Sequence, residues 1–226
     1  SMRRIDESMV GPSYIKFLVM VSESLAELEK NREQITRLSL EPGESFRFYS
    51  ETISQLLEIV LRTGNQMPSS KLSRLSNAKQ AVLFLKERNG QERALVTGGF
   101  GAGRLTSEQF STFQSLINDQ ATYLRLAIGY ATPDQEKLLR AKLAEPIFKE
   151  VGTIEQMVKD KGANAELVYS PEDWFAKITA KIDLLRTVEE SYTKDIQQEI
   201  HANIDADRDA FVSYASLLLV AVGLTL

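Results

Sequence analysis

Polar side chains interrupt the apolar faces of several predicted helices. In these segments apolar residues recur every three or four positions, the pattern of a helix that buries one face. Arg93 does not interrupt such a face but flanks one, at about 80° from Leu85 and about 60° from Val96 on a helical wheel. The residues that interrupt the apolar positions themselves are Arg32, Asn89, Glu92 and Gln120.

The two arginines indicate which chemistry these positions can support. A buried guanidinium is unfavourable unless a carboxylate or a bound anion accepts its hydrogen bonds, and its planar fork fits a planar oxyanion. One interpretation is therefore internal pairing of Arg93 with a carboxylate: Glu33, Glu87 or Glu92.

The other interpretation is an anion site. Here Arg32 and Arg93 converge on one small oxyanion between the first and third predicted helices. Nearby polar side chains orient the two guanidinium groups: Asn89, Glu92 or Gln120. The residue types and their spacing leave both interpretations open.

Composition excludes most familiar catalytic sites. The 226-residue chain has no cysteine and one histidine, His201, which excludes disulfides, Cys/His zinc sites, thiol nucleophiles and any triad that needs another histidine. A formal net charge of −4 provides no global basic field for nucleic acid. We therefore predict no catalytic residue, no metal and no cofactor, and we expect a binding protein rather than an enzyme.

The run from Gly98 to Gly103 suggests a phosphate-binding loop, but its context argues against one. It follows a predicted helix rather than a strand, and it continues as Arg104-Leu105 rather than as Gly-Lys-Ser/Thr. We predict that these glycines end a helix and form an interhelical turn.

Helical patterns cover most of the chain, and alternating strand patterns are nearly absent. Thr106 with Gln109 predicts a capping box, and Ser170-Pro171-Glu172-Asp173 predicts the start of a helix of more than fifty residues. The predicted fold is all-α, with up-and-down helical bundles that can form two four-helix bundles. The predicted helices span residues 15–38, 45–62, 70–97, 106–128, two shorter pieces between 134 and 163 broken near Pro146, and 170 onward.

The end of the chain predicts a membrane attachment. Residues 211–226 carry no charge and follow an acidic stretch. A span needs about 20 apolar residues, so this segment fits the start of a transmembrane helix, with a short buried helix as the alternative. We predict an expression scar and leader over residues 1–12, an extracellular helical domain over 13–210, and the beginning of the span over 211–226.

One motif resembles a known family. Residues 86–94 read KERNGQERA, followed by Gly99-Phe100-Gly101-Ala102-Gly103-Arg104 and Phe110. The stretch resembles the nitrate- and nitrite-sensing domains of bacterial receptors, whose core pattern is K-E-x-x-G-x-E-R-A. The match is best over residues 83–124, and weaker agreement extends through Trp174-Phe175 into the long helix.

The resemblance implies a helical domain outside the membrane, ahead of a chemoreceptor, cyclase or kinase module, although some members are soluble transcription antiterminators. It also implies that arginines of the first helix and of later helices hold nitrate or nitrite, and Arg93 matches the later motif. The first-helix motif resembles Q-x-E-R-G-x-S. This chain keeps Arg32 there but has Asn31, Glu33 and Ile35 in place of Glu, Gly and Ser.

We therefore expect a periplasmic sensor domain of a homodimeric bacterial receptor in the inner membrane, with nitrate or nitrite as its ligand. The alternative is a helical scaffold that binds a partner protein and no small molecule. A scaffold would pair Arg32 and Arg93 with carboxylates, whereas a sensor needs an inward guanidinium without a carboxylate.

Overall fold

A computed structural model describes residues 12–64 and 69–204. Regular structure in these residues is entirely helical, which confirms the all-α prediction. The residues fall into two compact units: a central unit, residues 74–196, and a terminal unit that holds the described residues before 74 and after 196. The helices are α1 (Pro12–Ala26), α2 (Leu28–Thr36), α3 (Pro42–Gly64), α4 (Ser70–Ala102), α5 (Ser107–Tyr130), α6 (Pro133–Leu143), α7 (Pro146–Lys161) and α8 (Pro171–Ile204).

Two apolar clusters form the core of the central unit. The first joins the end of α4, the beginning of α5, α7 and the beginning of α8, and it contains Val96, Phe100, Leu105, Phe113, Val151, Ile154, Val158, Leu167, Trp174 and Ile178. The second joins the beginning of α4, the end of α5, α6 and a later part of α8, and it contains Ala78, Ala81, Val82, Ala127, Leu139, Val188 and Tyr192.

These contacts define an up-and-down four-helix bundle. The end of α4 packs with the beginning of α5, and the beginning of α4 packs with the end of α5, so the two helices are antiparallel. The same argument makes α8 antiparallel to α4. The third bundle position is shared by α6, which packs in the second cluster, and α7, which packs in the first. The predicted break near Pro146 is therefore the division of one bundle position into two helices.

Local sequence signals explain where the helices begin. Thr106 and Thr132 each form a capping box with the glutamine three residues later, which satisfies two backbone N–H groups that the helix itself leaves free. The Ser170 hydroxyl accepts a hydrogen bond from the backbone N–H of Asp173 at 3.0 Å, at the start of α8. The predicted starts at Thr106 and Ser170 are confirmed.

The glycine-rich segment differs from its prediction by a few residues. The helix does not end at Gly98 but continues to Ala102, and the turn is made by Gly103, whose φ of 72° suits a residue without a Cβ. The absence of a Cβ at Gly99 lets the buried Leu105 side chain pack directly against the α4 backbone. Gly99 thus permits a close contact between the helix and the following turn, and Gly103 forms the turn itself.

In the terminal unit, α1 packs against α3, and Val21, Leu57 and Val60 are buried. The predicted helix over residues 15–38 is interrupted at Glu27, which separates α1 from α2. No residue of α2 is buried. Within the described residues, α2 is therefore not packed into a core in the way that α1 is.

The predicted leader and membrane segment fall almost entirely outside the described residues, as do Asp205, Asp207 and Asp209. The long C-terminal helix is described from Pro171 to Ile204, and its predicted continuation is not. Within residues 12–64 and 69–204, no helix has the length and apolar character needed to cross a bilayer.

The glycine contact leads to a stability prediction. A Gly99→Ala Cβ would overlap the Leu105 side chain, which is fully buried and would have to shift within the core. We expect this variant to lose about 1–3 kcal/mol of unfolding free energy. Urea unfolding monitored by fluorescence of Trp174, the single tryptophan of the chain and a buried residue of the central unit, measures the loss.

Gly98→Ala is the matched control. A Cβ at Gly98 meets no atom within 4 Å, and the position is in the same helix. Alanine is the better helix former, so this variant should be unchanged or up to about 1 kcal/mol more stable. Equal effects of the two substitutions would contradict the proposed Gly99–Leu105 contact.

Candidate functional site

A layer of polar side chains lies in the central unit between the two apolar clusters. Each contributing helix has apolar core residues on both sides of it, for example Val82 and Val96 on α4. We call this set the polar layer: Asn89 and Glu92 of α4, Gln120 of α5, Glu155 of α7 and Lys181 of α8. Asn89 and Glu92 are both 0% exposed, so water does not satisfy their polar atoms.

Hydrogen bonds join four of these side chains across the bundle. Gln120 Nε2 donates to Glu92 Oε2 at 2.7 Å. Lys181 Nζ donates to Glu155 Oε1 at 2.9 Å and to Gln120 Oε1 at 3.4 Å. The chain of contacts therefore links α4, α5, α8 and α7 through side chains alone.

Glu92 is the member of the polar layer whose pKa is raised most by its surroundings. The pKa of Glu92 is raised to about 8: burial is the largest cause, the Glu155 charge adds to the rise, and Lys181 and the Gln120 hydrogen bond oppose it. At neutral pH Glu92 is therefore protonated. Since Lys181 pairs with Glu155, the polar layer then carries no net charge.

Two acceptor atoms of the polar layer have no hydrogen-bond partner. Asn89 Nδ2 donates to the Leu85 carbonyl at 2.8 Å, but Asn89 Oδ1 is buried and unpartnered. Glu92 Oε1 is also unpartnered. A protonated Glu92 can donate a hydrogen bond to the Glu155 carboxylate, and this interaction also raises the pKa of Glu92.

Arg93 lies on the next position of α4 and contacts α8. Its Nη1 donates to Thr179 Oγ1 at 2.9 Å, and its guanidinium carbon lies 4.6 Å from the centre of the Phe175 ring. The Trp174 indole N–H donates to the Arg93 carbonyl at 3.2 Å. Three residues of the first turns of α8 therefore hold the backbone and the side chain of Arg93.

No ion pair among residues 12–64 and 69–204 includes Arg93. The three carboxylates that sequence analysis offered as its partners bond elsewhere: Glu33 to Arg37 at 3.3 Å, Glu87 to Gln91 at 2.8 Å, and Glu92 to Gln120 at 2.7 Å. The internal salt bridge predicted as one alternative for Arg93 is thus not formed in the described residues.

Arg32 is placed differently from its prediction. It lies on α2 in the terminal unit, its side chain is 62% exposed, and its Nη1 is 3.8 Å from Glu29 Oε2. The expectation that it interrupts a buried apolar face is wrong, because α2 buries no residue. Its role as an anion ligand stays a prediction.

The structure thus brings Glu92 and Gln120 into direct contact and places Asn89 and Arg93 beside them on α4. Sequence analysis missed Lys181, Glu155, Thr179 and Phe175. A signal for the first two was present, because Lys181 lies seven residues after Trp174 and four before Leu185, and Glu155 lies between Val151 and Val158 at helical spacing. Both positions are core positions of their helices.

The comparisons with known proteins point to a sensing function. The profile of the family described as "Nitrate and nitrite sensing" matches residues 3–197. A "Nitrate regulatory protein" of Klebsiella oxytoca is 25% identical over 187 residues, which cover 81% of this chain and 46% of that protein. The chain therefore spans about half the length of this curated relative. No solved structure matches the chain significantly.

The buried carboxyl of Glu92 generates a prediction of pH-dependent stability. The folded chain keeps a proton on Glu92 up to about pH 8, whereas the unfolded chain releases it near the ordinary glutamate pKa of 4.5. Stability should therefore fall as pH rises between these values, with a slope of up to about 1.4 kcal/mol per pH unit. Glu92→Gln, which mimics the neutral carboxyl, should remove this contribution in urea unfolding followed by Trp174 fluorescence.

Glu87→Gln is the control variant. Burial raises the pKa of Glu87 only to about 7, so its contribution ends below the upper part of the Glu92 range. The difference in slope between the parent and each variant cancels the contributions of the other titrating groups. Between pH 7 and 8 the parent and Glu87→Gln should lose stability more steeply than Glu92→Gln. Identical slopes in all three proteins would mean that Glu92 is ionised in the folded chain.

Proposed function

The chain belongs to the nitrate- and nitrite-sensing family, and on that premise we propose that it is the sensor domain of a bacterial signalling protein and binds nitrate or nitrite. The proposed activity is reversible binding of a small oxyanion, without chemical conversion of that ligand. The family match covers most of the chain, including both arginines.

The observation that carries the proposal is the guanidinium of Arg93, which is partly buried and has no carboxylate partner among the described residues. Its neighbours Thr179 and Phe175 are neutral, so they orient the guanidinium without cancelling its charge. A cation held in this way is favourable when an anion is bound to it. A scaffold domain has no need of such a group.

The polar layer is consistent with an anion beside it. An ionised Glu92 would repel nitrate, but a protonated Glu92 adds no negative charge next to Arg93. We propose that Asn89, Glu92 and Gln120 orient the α4 side of the site. The hydrogen bond of Gln120 to Glu92 and the burial of Asn89 support that role.

Arg32 is proposed as a further anion ligand on the strength of the family resemblance. Its nearest carboxylate, Glu29, is 3.8 Å away, and both side chains are largely exposed, so the pair is weak. The guanidinium of Arg32 is accordingly available to an anion.

For the cellular setting we propose a homodimeric receptor in the inner membrane, with this domain in the periplasm. The uncharged segment over residues 211–226 supports membrane attachment, although the described residues contain no spanning helix. The relative named as a nitrate regulatory protein supports a regulatory output.

Calorimetric titration of the 226-residue chain with sodium nitrate and sodium nitrite tests the ligand. A charge-assisted hydrogen bond contributes about 1.5–3 kcal/mol, so Arg93→Ala and Arg32→Ala should each weaken binding by about ten- to a hundredfold. Arg93→Lys should also lose affinity, because an ammonium keeps the charge but lacks the planar fork.

Arg186→Ala is the matched control for these variants. Arg186 is an exposed arginine of α8 that already pairs with Glu190 at 3.0 Å, so its removal should leave anion affinity unchanged. If the parent chain binds neither anion, the sensor proposal is wrong and the scaffold alternative stands. If the parent binds but Arg93→Ala binds equally well, the site lies elsewhere.

The homodimer is tested by light scattering. A receptor with a long helix that leads to the membrane signals by movement relative to a second copy, so the full-length protein in detergent should have the mass of a dimer. A monomeric mass, both with and without nitrate, would contradict this prediction.

A further inference from the structure

Two arginines of the described residues stack on phenylalanine rings, and they differ in one respect. Arg62 of α3 lies 4.8 Å from the centre of the Phe17 ring, and its Nε bonds Glu58 at 2.8 Å. Arg93 of α4 lies 4.6 Å from the Phe175 ring centre, and its hydrogen-bond partner is the hydroxyl of Thr179. The first cation is thus neutralised by a carboxylate, whereas the second is held by neutral groups only.

We propose that Phe175 and Thr179 are positioning residues for the anion site: they fix the Arg93 guanidinium so that two N–H donors on one edge are free for two oxygens of an oxyanion, and they thereby favour nitrate and nitrite over a monatomic anion such as chloride. This inference rests on the proposed function and assigns to α8 a part of the ligand specificity.

The geometry of the guanidinium leads to this assignment. A guanidinium has five N–H donors in one plane, and two of them, on Nε and Nη2, form a side edge that matches two oxygens of one oxyanion, whereas a single-atom anion cannot offer two such acceptors. Thr179 occupies a donor of Nη1, and no hydrogen bond in the described part of the chain uses Nε or Nη2. The side edge is therefore the one left for a ligand.

The Phe175 ring fixes the orientation of this edge. The guanidinium carbon of Arg93 lies over this ring, and the cation–π attraction restricts the movement of the guanidinium. Phe175 is 46% exposed, so its contact with Arg93 lies at the surface of the central unit and not in its apolar core. By covering one face of the guanidinium, the ring also keeps water from it and strengthens its attraction for an anion.

Both positioning residues belong to one face of α8. Phe175 and Thr179 are four residues apart and therefore lie one turn apart on the same side of the helix. Trp174 holds the Arg93 carbonyl from the same turn. An anion that binds the free edge of Arg93 is consequently linked to α8 through Phe175 and Thr179, which contact the same guanidinium.

The experiment compares loss and rescue at each position. Thr179→Val removes the hydroxyl and keeps the shape, whereas Thr179→Ser keeps the hydroxyl. Phe175→Leu removes the ring, whereas Phe175→Tyr keeps it. Each variant of the 226-residue chain is titrated with sodium nitrate and with sodium chloride, a monatomic anion of the same charge. Phe17→Leu, which removes the ring from the neutralised Arg62, is the matched control.

We expect Thr179→Val and Phe175→Leu to weaken nitrate binding by about three- to tenfold and to reduce the ratio of nitrate affinity to chloride affinity. Thr179→Ser, Phe175→Tyr and Phe17→Leu should stay within about twofold of the parent. Trp174 fluorescence in urea checks that each variant retains its fold. A purely structural role would lower stability without changing the ratio of the two anions.

The outcomes separate this inference from the proposed function. If the parent binds nitrate and loses it in Arg93→Ala, but Thr179→Val and Phe175→Leu bind like the parent, the positioning role is wrong and the sensor function stands. The same holds if the serine and tyrosine variants lose as much affinity as the valine and leucine variants. If the parent binds neither nitrate nor nitrite, both the sensor function and the positioning role are wrong.

Discussion

The carboxyl of Glu92, buried in the middle of a four-helix bundle, is the constraint on which the central unit depends. It has no access to water, so its hydrogen bonds must come from the neighbouring helices. Gln120 supplies one bond from α5, and Gln120 is in turn bonded by Lys181 of α8, which pairs with Glu155 of α7. A sliding movement of any one helix would leave a buried polar group without a partner, at a cost of several kcal/mol. The polar layer therefore sets the register of the bundle.

The same layer explains why Arg93 is available for a ligand. Lys181 and Glu155 neutralise each other, and burial keeps Glu92 protonated at neutral pH. The interior next to Arg93 thus contains no free carboxylate to bind it. Arg93 instead contacts the hydroxyl of Thr179 and the ring of Phe175, which orient the side chain but leave its charge unbalanced. The charged groups of the core are neutralised within the core, by the Lys181–Glu155 ion pair and by protonation of Glu92, so the Arg93 charge remains for an anion.

One end of the central unit is closed by a tight interhelical turn and by backbone hydrogen bonds to it. The close approach of Leu105 to Gly99 forms the tight turn between α4 and α5. The loop between α7 and α8 then joins this turn, since Asn164 N donates to the Leu105 carbonyl at 2.7 Å and Leu167 N donates to the Gly103 carbonyl at 2.8 Å. This closure fixes where α8 begins, and Trp174 and Phe175 follow within a few residues. The turn residues therefore help to place the groups that hold Arg93.

The sequence by itself determined the fold class, most helix limits and the presence of polar residues in the core. Helical periodicity and capping depend on neighbours within a few positions, so Thr106, Ser170 and the buried Asn89, Glu92 and Gln120 were predictable from local pattern. Which side chains form hydrogen bonds and ion pairs with one another was decided only by the tertiary structure. Lys181 and Glu155 are ordinary surface residue types, and their burial depends on the groups that three other helices bring to them. Arg93 meets Thr179 from 86 positions away, and Arg32 is exposed because α2 packs no residue into a core. Such contacts follow from how helices pack, which no short window of sequence contains.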